Sequence, residues 1–198
     1  MATTPTLLDV FKKNQYNLDE AALKSKAWFS QQVLLLSRQR ITPNRIMADG
    51  SNNSLKSNIL PGNLYMYFYD PKLKKELPYY DRFPLVLPFR SVQGGFIGLN
   101  LHYLPYQMRV VLMDRLMQFK TNNKMDSTTR LKLSWSLIDN ASKFAWAKPC
   151  VKHYLLPHVR SPFKLISPND WGTAMMLPVE RFVGASNEVV WKESRKKI

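Results

Sequence analysis

Cysteine is nearly absent. Cys150 stands alone in 198 residues, so no disulfide can close within the chain. That fits a reducing compartment, or a particle assembled in one. Acid is scarce too: fourteen Asp and Glu face twenty-nine Lys and Arg. No apolar run exceeds a few residues, VLLL at 33–36 being typical, which excludes a hydrophobic membrane-spanning helix. The opening MATTPTLLDVFKKNQYNLDE lacks the basic start and apolar core of a secretory signal, so a protein working in solution is expected. Seven glycines and thirteen prolines are too few and too scattered for a collagen-like or low-complexity chain. Catalytic signatures are missing as well. There is no GxxxxGK[ST], no GxGxxG and no HExxH, and Ser136, Ser142 and Ser161 lack a nucleophile-elbow context.

What is present is positive charge, a formal +15 with a pI near 10.0. The excess runs along the whole chain and is heaviest over 111–160. Such a surface draws a polyanion or an acidic protein from a distance. Nucleic acid is one such partner; an acidic neighbour in an assembly is the other.

Along the chain, 1–47 reads as an N-terminal arm and helix. Asn17 with Glu20 forms a capping box, and Leu23, Ala27, Trp28, Phe29, Val33, Leu34 and Leu36 give an apolar stripe over 18–39. ADGSNNSLKSN at 48–58 is small and polar, and 48–59 reads as a linker to a main body at 60–198. The period then changes to two. NLYMYFYD sets Tyr65, Tyr67 and Tyr69 on one face and Leu64, Met66 and Phe68 on the other. FPLVLPF is a second strand, pushed toward an edge by its prolines, and FIGLNLHYL is a third, with Gly98 a bulge or close-packing point. The expected fold class is α+β: a small SH3-like antiparallel β-barrel or curved sheet over about 60–105, flanked by N-terminal and C-terminal helices. In the helical part, 106–198, Asp126 or Ser127 caps a helix to about 142 with a Leu131, Trp135, Ile138 stripe. A helical turn over 148–159, an extended 160–166, and short helices over 170–176 and 187–197 complete the expectation.

The candidate sites follow from charge and aromatics. Arg109, Arg115, Lys120, Lys124, Arg130 and Lys132 crowd one helix–loop–helix, joined by Lys143, Lys148 and Lys152; Lys72, Lys74, Lys75, Arg82 and Arg90 edge the strands. Six such cations on phosphates would give a slope of roughly −5 in log K against log salt. Tyr65, Tyr67, Tyr79, Tyr80 and Phe83 could stack on unpaired bases, or simply fill the barrel. Asp70, Glu76 and Asp81, with Lys75, would suit a Mg²⁺-dependent nuclease only if they converged. Cys150, His153 and His158 offer three ligands where structural zinc wants four, so a packed thiol beside two imidazoles is expected. His102 reads as a hydrogen-bonded structural residue. No cofactor or metal is implied.

At NLYMYFYDPKLKKELPYYDRFPLVLPF, GFIGLNLHYLP and MMLPVERFVGASNEVVWKES, over roughly 60–105 and 170–195, the chain resembles virion structural proteins of large contractile-tailed bacteriophages. The resemblance implies a small non-enzymatic protein inside a phage particle, in the neck, tail or baseplate, or bound to the end of packaged DNA. It would be made in the host cytoplasm and carried in the virion, within a symmetric multi-subunit assembly. Other virion proteins and double-stranded DNA are the partners implied; a membrane is not. Leu7, Leu8, Phe11, Trp28 and Trp191 are candidate assembly anchors. A nucleic-acid-binding protein of phage replication or packaging is the alternative, and the Mg²⁺-dependent nuclease a third.

Overall fold

A computed structural model describes residues 34, 42–48, 55–106, 108–109, 112, 126–167 and 170–196. Its centre is an antiparallel sheet of six strands: β1 (Leu55–Lys56), β2 (Leu64–Met66), β4 (Leu85–Val92), β5 (Gly95–Asn100), β6 (Val151–Leu155) and β7 (Phe163–Ile166). β3 (Tyr80–Asp81) pairs separately with β8 (Phe182–Val183). The order β1-β7-β2-β4-β5-β6 is open, so the closed barrel expected over 60–105 is not formed. Strands from outside that window complete the sheet. Leu55 and Lys56, expected in a linker, pair with Lys164 and Phe163.

Alternation decides which residues meet. Leu64, Met66, Leu85, Leu87 and Leu99 point to one face, where Ile138, Trp171 and Val190 cover them. Tyr65, Tyr67, Tyr69, Val86, Phe96, Tyr154 and Phe163 gather on the other. There the Tyr67 ring meets Phe163 at 4.9 Å and Tyr154 at 5.5 Å, both edge-on. Edge-to-face pairs of this kind add about 0.5–1.5 kcal/mol beyond area burial.

Two features depart from the sequence reading for identifiable reasons. β4 is an inner strand despite Pro88, because β2 pairs only with Leu85 and Val86. Beyond them Gly62 N donates to the Pro88 carbonyl at 3.2 Å, and the missing proline N–H leaves no ladder bond unmade. The register shifts between Pro88 and Arg90, opposite Gly98, where a Cβ would run into Val86 Cγ1. The segment 151–155 is a strand rather than a helical turn. β5 offers it an open edge with five paired positions, and Tyr154 completes the ring cluster.

Four helices are described: α1 (Pro43–Ala48), α2 (Ser127–Ser142), α3 (Trp171–Met176) and α4 (Asn187–Lys196). Asp126 caps α2 as expected, accepting from Thr128 N at 2.9 Å and Thr129 N at 3.0 Å. Trp135 fastens α2 to β4 by donating from Nε1 to Phe89 O at 2.6 Å. Of the helix expected over 18–39, only Leu34 is described, helical and exposed. Tyr106, Met108, Arg109 and Leu112 are helical, in the stretch expected to be so. Among the described residues no helix is long and apolar enough to cross a membrane.

Candidate nucleic-acid interface

Among the described residues two acids are sunk in the interior, each held by a base. Asp81, on β3, lies 2.7 Å from Nδ1 of His102, which sits in a 3-10 turn (Leu101–Tyr103) rather than on the expected strand. Asn100 Nδ2 donates to the same carboxylate at 3.2 Å, and the backbone N–H groups of Phe83 and Arg181 donate at 3.0 and 3.2 Å. Burial pushes this carboxyl up, but His102 and the donors outweigh it and hold the group below the usual range. His102 is thus the satisfied structural residue expected at Nδ1, although its Nε2 has no partner among the described residues.

The second pair corrects the sequence reading. Arg109, expected on the phosphate-binding face, is fully buried and lies 2.5 Å from Glu180. Its guanidinium also donates to the carbonyls of Leu104, Met175 and His102 at 2.8, 3.2 and 3.2 Å, and sits 4.4 Å from the Tyr106 ring centroid. It is a tie between chain segments and cannot reach a phosphate. Trp191, expected as an assembly anchor, is half-buried against the same assembly. Its Nε1 donates to His102 O at 2.7 Å and its ring meets Tyr106 edge-on.

Outside these two buried pairs, cations gather at one surface acid, Asp70. Lys74, on the turn that follows, donates to both Asp70 oxygens at 2.9 and 3.0 Å, and Arg160 lies 3.9 Å away. The Lys74 hydrogen bond, with the charges of Lys74, Arg160 and Arg82, holds the Asp70 carboxyl below its ordinary value. Lys72 and Lys75 are exposed on the same turn, and Arg82 N donates to Arg181 O at 2.8 Å, setting two exposed arginines side by side. Backbone pairing builds this convergence. Asp70 N donates to His158 O at 3.0 Å and Arg160 N to Phe68 O at 2.8 Å, so the chain between β6 and β7 is laid along 68–70. Lys74 and Arg82 therefore lie around Asp70, with Lys72 and Lys75 exposed on the turn beside it. Arg160, which the sequence did not single out, joins them because distant segments pair, and the exposed Arg181 is backbone-paired with Arg82.

The other expected contacts are dispersed. Arg90 is exposed near α2, 3.5 Å from Asp139, which Lys143 also holds at 2.8 Å. Lys132 and Lys148 are exposed, while the Lys152 ammonium lies 3.9 Å from the Tyr103 ring centroid. Arg130 lies on α2. Arg115, Lys120 and Lys124, with Leu7, Leu8, Phe11 and Trp28, lie outside the described residues.

Base stacking on Tyr65, Tyr67 and Phe83 is excluded by their burial; Tyr79 and Tyr80 are half-buried. Nor do the three nuclease carboxylates meet. Asp81 faces His102 in the interior, Asp70 faces Lys74 and Arg160, and Glu76 is exposed on the turn. Among the described residues no three His, Cys, Asp or Glu side chains gather as a metal site would need. Cys150 is buried, His153 exposed, and His158 Nδ1 donates to Asp70 O at 2.9 Å.

A mixed helix-and-sheet protein with a formal charge of +15 and cations grouped around Asp70 has a surface that attracts polyanions. The comparison with protein families is specific: the chain belongs to the phage T4 terminal DNA protecting protein family, whose model matches residues 13–196. It is a bacteriophage protein of a DNA-associated family. No curated protein and no solved structure matches the chain.

Proposed function

We propose that this protein binds the ends of linear phage DNA and shields them passively, as a non-enzymatic cap. The cations around Asp70 carry the reading: Lys74, Arg82 and Arg160 surround it, and with the exposed Lys72, Lys75 and Arg181 they would offer a face suited to a phosphate backbone. Membership of a family described as terminal DNA protecting supports the DNA terminus as the place of action. Lys132, Arg90 and Arg130 are proposed as separate further phosphate contacts, as are Arg115, Lys120 and Lys124, which lie outside the described residues. A protein that guards packaged ends travels in the virion, beside other virion proteins; mass spectrometry of purified particles tests that, and absence would favour a role confined to replication or packaging.

The direct test is exonuclease digestion of linear duplex with and without the full-length protein. Protection that vanishes in Lys72→Gln/Lys75→Gln/Arg82→Gln/Arg160→Gln is expected. Equal digestion with and without the wild-type protein overturns the proposal.

A further inference from the structure

We infer that an apolar tip beside the cation cluster covers the terminal base pair of a duplex, and so tells a DNA end from its interior. This rests on the DNA-end reading and adds the residues that recognise the end. Leu73 and Leu77 lie one helical turn apart on the turn after Asp70, with Leu77 N donating to Leu73 O at 3.1 Å. Leu156 opens a 3-10 turn (Leu156–His158) whose His158 is bonded to Asp70 twice, through its carbonyl at 3.0 Å and its Nδ1 at 2.9 Å. Both apolar turns are thus fastened at the residue on which Lys74 and Arg160 converge. The three leucines are 50%, 42% and 49% exposed, and Pro78 and Pro157 beside them are exposed as well.

A single exposed leucine is ordinary, but three on two turns fastened at one residue put apolar surface beside a cation cluster. A partner with an apolar face and a negative rim accounts for it. The interior of a duplex shows phosphates and groove edges. Only an end bares the face of a base pair, flanked by the backbones of both strands. Leucine and proline are among the side chains that pack against unstacked base faces. Covering the remaining half of each leucine gives about a fivefold gain in affinity per residue.

The test compares the full-length protein's affinity for a blunt linear duplex and for a covalently closed circle of the same sequence, by competition anisotropy. The wild type is expected to prefer the open duplex. Leu73→Ser/Leu77→Ser/Leu156→Ser is expected to bind the open duplex no better than the circle, and Leu73→Trp to widen the preference through a broader apolar face. A wild-type melting temperature for the triple variant shows that it is folded. If both variants keep the wild-type ratio, the leucines serve another partner, such as a neighbouring virion protein, and the inference falls while the DNA-end reading stands. If the wild type itself binds circle and open duplex equally, the DNA-end reading fails and takes the inference with it.

Discussion

Replacing Arg109 by methionine tests whether the charge is placed as described. The side chain is fully buried, 2.5 Å from Glu180, with three backbone carbonyls as further acceptors. Methionine fills similar volume but strands a carboxylate in a dry site. Removing one partner of such a pair costs about 3–5 kcal/mol, a large part of the roughly 5–15 kcal/mol that holds a domain folded. For a chain of 198 residues, at about 2–4 °C per kcal/mol, the melting temperature should fall by roughly 10 °C. Removing both charges, as Arg109→Met/Glu180→Leu, should cost less than the sum of the single changes, because no charge is left unpaired. Urea denaturation of the four proteins at neutral pH measures the cycle. A single variant that melts with the wild type but loses DNA affinity would return Arg109 to the outer surface and refute the packing.

Three further outcomes are expected. Asp81 has a depressed carboxyl, so its stabilisation is complete above the unfolded value of about 3.9 and is lost as pH falls through the lower folded value. Asp81→Asn should therefore melt lower at pH 7 and lose less than the wild type on further acidification below about pH 4, as thermal scans would show. Burial pushes the Cys150 thiol up to about 12, so a thiol reagent at mildly alkaline pH should modify it only when urea is added; prompt reaction of the native protein would contradict its placement. Asp70→Asn should free Lys74 and Arg160 and tighten binding to linear DNA; weaker binding would show that the carboxylate is needed to hold those cations in place.

Local patterns were legible where short-range physics decides. The two faces of 63–70 separated as their alternation required, because one side chain set had to meet helices and the other its own rings. The Asp126 cap fixed the start of α2. What stayed hidden depends on partners remote in the chain. Arg109 looks like any helical surface cation until Glu180 is brought beside it. VKHYL became a strand because β5 had an open edge, and the acid beside His102 stands 21 residues upstream. Arg160 joined the cation cluster only because the chain between β6 and β7 runs along 68–70. Pro88 signalled an edge strand, yet β2 ends before reaching it.

The salt dependence of binding to linear duplex DNA tests the central claim most directly. Removing the charges of Lys72, Lys75, Arg82 and Arg160 together should flatten the slope of log K against log salt by about 3–4, at roughly 0.9 for each phosphate no longer neutralised. An unchanged slope with unchanged affinity would mean that the cations around Asp70 do not face DNA.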